Sequence, residues 1–322
     1  MAGPYSYERL SYEPLSQARP RRRKLGCLGW LFYWAIGFFG GALALFVLAL
    51  LFNLIFPPRH TNILILGLDR RPGEPIAGRT DTMILVGINA RTPSVSFLSI
   101  PRDLYVFMPD GSGQNRINTA HRTAELAVAG SGPQAAMDCV AQNFEVPVQR
   151  FIRLDFQGFV NIIDAAGGVN IDVPTPFFDY EYPTDNGGTI YVEFQAGPQH
   201  MDGERALQYA RIRHGSSDFV RAARQQQIIE AFVRKLLNPL NWPRLPLVYS
   251  AVITSTTTNL NPIDIFRLSP TLLRVGVGGI QRHVIEGRMV QSTTTSGGAS
   301  VLLPVWSEIN PLLMAEFGMN AP

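Results

Sequence analysis

The chain has 322 residues, of which 46% are hydrophobic, so it can bury the core of one large domain or two small ones. Its net charge of +3 is uneven: residues 1–24 carry six basic and two acidic side chains, and the other 22 basic and 23 acidic side chains nearly balance. A near-neutral body excludes a general nucleic-acid surface, which requires a basic domain. The two cysteines, Cys27 and Cys139, form neither a disulfide framework nor a metal-ligand spacing.

The first 56 residues predict a tail followed by a membrane span. Residues 1–24 are rich in Tyr, Pro, Ser and Arg without periodicity, which predicts a disordered basic tail. Residues 25–56 contain no charged side chain and exceed the roughly 20 residues that cross a bilayer, which predicts one transmembrane helix. The basic flank predicts a cytoplasmic N-terminus and places residues 59–322 outside the cell. A cleaved signal peptide is the alternative, although the run is long for one.

From Asn62 onward, short apolar runs alternate with amphipathic stretches. The predicted strands are Asn62–Leu68, Thr82–Asn89, Ser94–Ile100, Arg150–Asp155, Val169–Val173, Ile190–Phe194 and His283–Ile285. The predicted helices are Ile117–Ala129, Pro133–Asn143, Phe156–Ala166, Asp202–Ala210, Phe219–Leu237, Leu245–Ser255, Pro262–Leu273 and one from Pro304. A Pro- and Tyr-rich loop is expected before Ile190. The mixture predicts one α/β domain, layered αβα around a central mixed sheet.

The densest charge cluster lies in Arg211–Gln227, with four arginines and one aspartate in fourteen residues. Arg221, Arg224 and Gln225 have helical spacing and can share a face. Arg211 and Arg213 alternate, so an extended segment would project both to one side. Guanidinium forks match phosphate oxygens, and the cluster therefore predicts a site for a multiply charged anion. A solvated helix start is the simpler interpretation of any single arginine.

Two carboxylates flank a predicted hairpin. Asp81 precedes its first strand and Asp103 follows its second, so the two side chains are expected to lie side by side. Two carboxylates beside phosphates are a common way to hold Mg²⁺, with water and substrate oxygens completing the shell. The alternative is that Asp81 caps the strand or pairs with Arg79, and that Asp103 pairs with Arg102.

The ordered motifs between Asn62 and Leu237 resemble one family. They are Asn62-Ile-Leu-Ile-Leu-Gly-Leu-Asp69, Arg79-Thr-Asp-Thr82, Ser99-Ile-Pro-Arg-Asp103, Arg116-Ile-Asn-Thr-Ala120, Gly167-Gly-Val169, Asp202-Gly203, Arg211-x-Arg213 and Asp218-Phe-x-Arg221-x-x-Arg224-Gln-Gln226. Each motif alone is weak, but the ordered set is similar to the LytR–CpsA–Psr family, as is the single preceding membrane span.

The resemblance implies a membrane-anchored phosphotransferase of the cell envelope. Such enzymes move a glycopolymer from a polyprenyl-pyrophosphate carrier onto peptidoglycan, leaving a phosphodiester link and releasing polyprenyl phosphate. It implies that Asp81 and Asp103 bind Mg²⁺ or Mn²⁺ and, with Arg102, act in catalysis. The pyrophosphate ligands carried over from the motifs are Arg79, Arg102, Arg122, Arg211, Arg213, Arg221, Arg224 and Gln225. The family often has lysine where Arg116 stands. The expected partners are the lipid-linked glycan, peptidoglycan and the bilayer, with no nucleic acid.

Several alternatives stay open from the sequence. A pyrophosphatase would use the same carboxylates to hydrolyse the carrier, and a transcriptional attenuator would bind DNA through residues 1–24. A wall-binding module would not require Asp81. The proton acceptor is either Asp103 or Asp218. Three amphipathic stretches are candidates for a lipid channel or for ordinary core: Phe156–Ile163, Ile228–Leu237 and Leu245–Val252. The segment Tyr180–Tyr182 is either a sugar-stacking site or an ordinary surface loop.

Overall fold

The apolar stretch near the N-terminus forms one long helix, α1 (Cys27–Ile55), in the computed structural model. The structure describes residues 27–58, 60–70, 78, 80–184, 187–212, 218–276 and 278–319, and the predicted tail 1–24 lies outside them. Within these residues, the segment Trp30–Asn53 is the one helix long and apolar enough to cross a membrane, with a mean hydropathy of 2.5. At 1.5 Å per residue its 24 residues span about 36 Å, more than the hydrocarbon core of a bilayer.

The described chain divides into two units between Phe52 and Asn53, and the second contains the remaining elements. Its strands are β1 (Thr61–Leu68), β2 (Thr80–Asn89), β3 (Ser94–Ser99), β4 (Tyr105–Phe107), β5 (Gln114–Arg116), β6 (Arg150–Leu154), β7 (Val169–Val173), β8 (Phe177–Pro183), β9 (Thr189–Phe194), β10 (Gly197–Met201), β11 (Thr256–Thr258), β12 (Ile280–Val284), β13 (Val290–Thr294) and β14 (Ser300–Pro304). Its helices are α2 (Thr119–Ala127), α3 (Gly132–Phe144), α4 (Phe156–Ala165), α5 (Gly203–Arg211), α6 (Asp218–Leu237), α7 (Leu245–Ser255), α8 (Pro262–Val275) and α9 (Trp306–Glu316), with 3-10 helices at Pro239–Arg244 and Gly287–Met289.

Six strands form the central sheet in the order β11-β6-β1-β2-β3-β12. The pairs β1–β6 and β3–β12 are parallel, and the other three neighbouring pairs are antiparallel. The predicted mixed sheet is therefore confirmed. Because of this register, β1, β3, β6 and β12 all end at the edge where β2 and β11 begin. We call this edge the site edge.

Each face of the sheet packs against helices, because successive side chains of a strand point to opposite faces. On β1, Leu64 and Leu66 face the cluster that contains Phe144 of α3 and Phe317 after α9. Their neighbour Ile63 faces a second cluster with Leu268 of α8 and the half-buried Ile229 of α6. The αβα layering predicted from the alternation is confirmed.

A third hydrophobic cluster lies beside the main sheet and includes a segment that was predicted as a loop. The segment Phe177–Pro183, expected to be a loop, forms β8 and pairs with β9 as an antiparallel hairpin. The register shifts between Asp179 and Tyr182, so the side-chain alternation breaks inside the strand. That break hides the period of two from a sequence pattern, and the flanking prolines add a loop signal. The inner residues Tyr182 and Phe194 are buried with α4, α5 and α6.

Most other boundaries agree with the sequence pattern to within two residues. Helix α5 begins as predicted, because the Asp202 carboxylate accepts a hydrogen bond from the Arg205 N–H at 2.8 Å. The strand expected at His283–Ile285 instead covers Ile280–Val284, where it pairs with β3. The short strands β4, β5, β10, β11, β13 and β14 were not predicted, because three to five residues carry too little periodicity.

Candidate functional site at the edge of the sheet

One guanidinium group joins the two predicted metal-binding carboxylates. Arg102 Nη1 lies 3.0 Å from Asp81 Oδ1, and Arg102 Nε lies 3.5 Å from Asp103 Oδ2. Antiparallel pairing of β2 and β3 brings the start of one strand beside the end of the other. Asp81 lies inside β2 rather than before it, because β2 begins at Thr80. Asp81 and Asp103 therefore lie close together, as expected, and the Arg102 guanidinium group contacts both.

Two further arginines extend this cluster. Arg116, at the end of β5, places Nε 3.1 Å from Asp103 Oδ1 and donates from Nη2 to the Ser300 carbonyl at 2.6 Å. On the first turn of α6, Arg221 Nη1 lies 2.9 Å from Asp218 Oδ1. Burial lowers the pKa of Arg102, but the charges of Asp81, Asp103 and Asp218 outweigh it and raise this pKa overall. Asp218 therefore acts on the same guanidinium group as the two motif aspartates.

Arg211 lies on the site edge in a different conformation from the one predicted. It is the last residue of helix α5, so the extended Arg211–Arg213 segment predicted from the alternation is wrong at Arg211. The Arg211 guanidinium covers the Phe156 ring at 3.8 Å, donates to Tyr182 Oη at 3.2 Å and lies 3.9 Å from Asp69 Oδ1. A cavity of about 280 Å³ is lined by Phe156, Tyr182, Ile190 and Arg211, among other residues.

The remaining predicted ligands occupy different environments. Arg224 is buried, donates to the Ile212 carbonyl at 3.0 Å and lies over the Phe177 ring at 4.2 Å. Burial lowers the pKa of Arg224. It therefore fixes the chain that follows α5, and among the described residues it contacts neither motif carboxylate. Gln225 is half-buried on α6, and Arg122 is exposed on α2 with no ion pair within the described ranges. The structure does not describe Arg79 or Arg213.

Comparison with known proteins identifies the family of the chain. The sequence profile of the LytR_cpsA_psr family matches residues 57–309, which is most of the chain. The chain belongs to this family. It is 38% identical over 172 residues to the polyisoprenyl-teichoic acid–peptidoglycan teichoic acid transferase TagU of Oceanobacillus iheyensis, a match that covers 53% of the chain and 49% of the relative. It is 29% identical over 203 residues to the TagV transferase of Bacillus subtilis, covering 62% and 49%.

The fold agrees with the family. The crystal structure of Bacillus subtilis TagV superposes with a TM-score of 0.67 at 23% identity, covering 82% of this chain and 99% of the other. This similarity shows that the two chains share the fold. The chain spans about half the length of the curated relatives TagU and TagV that it matches.

The carboxylates of Asp81 and Asp103 fit a divalent cation whose other ligands come from a substrate and water. The side chains of Asp81 and Asp103 are about a quarter exposed, so they are accessible to a ligand. Within the described ranges, no group of three or more His, Cys, Asp or Glu side chains would form an all-protein metal cage. Mg²⁺ is commonly held by one or two carboxylates, with phosphate oxygens and water supplying the rest. The donor set is suitable for that arrangement, with Arg102 as a second positive group beside it.

Arg116 and Asp69 belong to the site and were not assigned a role from the sequence. Both stand in family motifs, and Asp69 directly follows β1, which ends at the site edge. The position of Asp69 at a strand end was the available signal, because polar residues at strand ends of α/β sheets gather at one edge. Tyr182 and Phe156 carried no such signal, since their contact with Arg211 depends on the packing of β8 and α4.

A buried ionic network supports the neighbouring strand β6. Arg153 Nη1 lies 3.1 Å from Glu125 Oε2 and 3.3 Å from His121 Nε2, and all three residues are less than 9% exposed. Glu125 also accepts hydrogen bonds from the N–H groups of Gly130 and Gly132 at 2.9 and 3.0 Å. Burial and then the charge of Arg153 lower the pKa of His121 from 6.5 to about 4, so the imidazole is neutral at pH 7.

Arg153 of this network also lines a second cavity on the same edge. The cavity measures about 490 Å³ and is lined by residues of β6, α4, α7 and β11, and by Arg70 and Asp155, which lie between named elements. Arg70 Nη1 lies 3.5 Å from Asp155 Oδ2, and Asp155 also caps α4 by accepting from the Gly158 N–H. Charged groups therefore continue along the site edge from β2 to β11.

Proposed function

We propose that this chain is a membrane-anchored phosphotransferase that moves a glycopolymer from a polyprenyl-pyrophosphate carrier to peptidoglycan. The observation that carries the proposal is the cluster of Asp81, Arg102, Asp103 and Arg116 on the site edge, with Asp218 and Arg221 beside it. Relatives in the family are named teichoic acid–peptidoglycan transferases.

The three arginines and three aspartates of the cluster balance, so a divalent cation held by Asp81 and Asp103 would bring it to two positive charges, which match the two negative charges of a pyrophosphate diester. Arg102 and Arg116 are held by carboxylates, and Arg221 by Asp218, so their guanidinium groups are oriented before substrate arrives. Arg211, at the end of α5, provides a further guanidinium group, which the Phe156 ring supports. Preorganised donors of this kind stabilise charge that develops during phosphoryl transfer.

The transfer itself exchanges one phosphorus–oxygen bond for another. An acceptor hydroxyl bonds to the sugar-side phosphorus while the bond to the bridging oxygen breaks, and the electron pair leaves with polyprenyl phosphate. Mg²⁺ or Mn²⁺ held by Asp81 and Asp103 would polarise the phosphoryl oxygens and neutralise charge on the leaving group. Asp103 is enclosed by two guanidinium groups, whereas Asp218 is 54% exposed, and we therefore assign the hydroxyl proton to Asp218.

The same proposal places the domain at the outer surface of the membrane. Helix α1 is the anchor, on the basis of its length and apolar composition. The basic residues 19–24 precede it and favour a cytoplasmic N-terminus, which puts the site edge outside the cell.

A lipid-release assay on the full chain in detergent tests this function. The chain is incubated with Mg²⁺, a polyprenyl-pyrophosphoryl glycan and peptidoglycan, and both polyprenyl phosphate and the glycan–phosphate–peptidoglycan adduct are measured. Asp81→Asn should lower both products by at least about 100-fold, the scale of one lost electrostatic contact in an active site. Asp264→Asn is the matched control, because its carboxylate is equally buried and paired with Arg150 at 2.7 Å.

Three outcomes would oppose the proposal in different ways. Polyprenyl phosphate without adduct would indicate a pyrophosphatase. Full activity of Asp81→Asn would show that the assigned carboxylates are not in the active site. No release at all, with salt-sensitive DNA binding by the intact chain, would favour the regulatory alternative.

A further inference from the structure

Three aromatic side chains lie exposed on the outer face of the β8–β9 hairpin. Phe178, Tyr180 and Tyr191 are 45%, 61% and 51% exposed. Their ring centroids are 5.0 Å apart for Phe178–Tyr180, 5.1 Å for Tyr180–Tyr191 and 6.4 Å for Phe178–Tyr191. The three neighbouring rings form one exposed apolar patch, and such patches mark binding sites. We call these three residues the aromatic platform.

The hairpin backbone fixes the platform in place. A β-bulge sets Tyr180 and Glu181 opposite the single residue Tyr191, and the Asp179 carboxylate stabilises it by accepting from the Glu181 N–H at 2.9 Å. Phe178 and Tyr180 are two residues apart and so share the outer face, and the extra residue returns Tyr182 to the inner face. A flexible loop would lose conformational entropy on ordering three rings, whereas this strand pair presents them already arranged.

The inner face of the same hairpin anchors it to the domain. Phe177 and Phe194 stack with centroids 5.1 Å apart, and Phe194 is fully buried against α5 and α6. Tyr182 accepts a hydrogen bond from Arg211, and Ile190 lines the adjoining cavity of about 280 Å³. The hairpin therefore presents the platform on its outer face and contacts Arg211 with its inner face.

The charge of the hairpin selects the class of ligand. Residues 174–195 contain no arginine or lysine and four acidic residues. Such a surface repels anionic lipid headgroups, polyphosphates and nucleic acids, which require basic residues. An uncharged sugar ring has an apolar C–H face that packs on an aromatic face, and its hydroxyl groups can donate to carboxylates such as Glu193 beside Tyr191. Tyr191 Oη already donates to Glu193 Oε2 at 3.0 Å.

We propose that the aromatic platform binds an uncharged N-acetylhexosamine glycan, as the subsite for the acceptor strand. The assignment as acceptor site rests on the proposed transferase function. The binding itself does not, because it depends only on the rings, the bulge and the acidic surface. The glycan lies across Phe178, Tyr180 and Tyr191 on the outer face of the hairpin.

Calorimetric titration of the full chain in detergent with chitohexaose, a β-1,4-linked N-acetylglucosamine hexamer, tests this proposal. Tyr180→Ala and Phe178→Ala should each weaken binding by about three- to tenfold, the range for removal of one ring contact. Tyr180→Phe keeps the ring and should retain affinity, which separates stacking from loss of fold. Tyr249→Ala removes an exposed tyrosine of α7 and should leave the Kd unchanged.

Each contrary result has a distinct meaning. Absence of binding to the intact chain at millimolar chitohexaose overturns the platform, as does an unchanged Kd in Tyr180→Ala. Loss of self-association or of vesicle co-sedimentation in Tyr180→Ala, without an effect on chitohexaose, would assign the rings to a second copy or to the bilayer. Intact binding with no lipid release would retain the platform and refute the transferase function.

Discussion

The bridging position of Arg102 leads to the sharpest prediction for the site. Arg102→Lys keeps the positive charge but removes the fork that reaches Asp81 through Nη1 and Asp103 through Nε. A single ammonium group cannot hold both carboxylates in that geometry and orient toward a phosphate. The substitution therefore changes the arrangement of the site with little change in charge.

The expected effects on stability and on rate differ strongly in size. The side chains of Arg102, Asp81 and Asp103 are between a fifth and a third exposed, so solvent screens these ion pairs. Each contributes at most about 1 kcal/mol to folding, and Arg102→Lys should lower the free energy of unfolding by no more than about 2 kcal/mol. Loss of one preorganised donor in an active site lowers kcat by about 100- to 1000-fold, which is about 2.7–4 kcal/mol of activation free energy.

Arg150→Lys is the matched control for this experiment. Arg150 makes a bidentate ion pair with Asp264, with Nε–Oδ2 at 2.7 Å and Nη2–Oδ1 at 3.0 Å. The side chains of this pair are about as exposed as those of Arg102 and Asp81. It begins β6, at the edge of the sheet opposite the site edge. Polyprenyl phosphate release and urea unfolding are measured for both variants. If Arg102→Lys loses no more activity than Arg150→Lys, the Arg102 bridge is only a structural ion pair and our reasoning about it is wrong.

Four further predictions concern stability and metal dependence. Glu125→Ala leaves the buried Arg153 charge unpaired and should lower the free energy of unfolding by about 3–5 kcal/mol in urea titration, whereas a loss below 1 kcal/mol would contradict the network. The folded-state pKa of His121 is about 4, so the unfolded chain binds an extra proton between pH 6.5 and 4. Stability should therefore fall as pH falls through that window, by an upper limit of about 3 kcal/mol, and the fall should be smaller in His121→Gln. Gly87→Ala would place a Cβ 2.9 Å from the Phe317 ring, and overpacking should cost about 1–3 kcal/mol in thermal unfolding. Chelation of divalent cations should abolish lipid release, and Mg²⁺ or Mn²⁺ should restore it; release that persists in excess chelator would exclude a metal role.

The sequence alone determined the layered architecture and the main site edge. Alternation along Asn62–Leu68 and Thr82–Asn89 assigned successive side chains to two buried faces, and helices on both faces followed from that burial. The uncharged run of residues 25–56 determined a helix, since its backbone can satisfy its own hydrogen bonds. Asp202 determined where α5 begins, because a helix cap is a local interaction.

Only the tertiary structure decided how the charged groups pair and where the hairpin forms. Arg102, which follows the next strand, pairs with Asp81 because strand register sets that distance. Arg211 ends a helix although its spacing from Arg213 fits a strand, since α5 packs against α4 and α6. Tyr182 lies on the inner face of the hairpin because of a bulge that needs β9 as its partner, while Tyr180 stays on the outer face. Local patterns encode which face of an element is buried, whereas contacts between distant residues depend on register and packing that no short window contains.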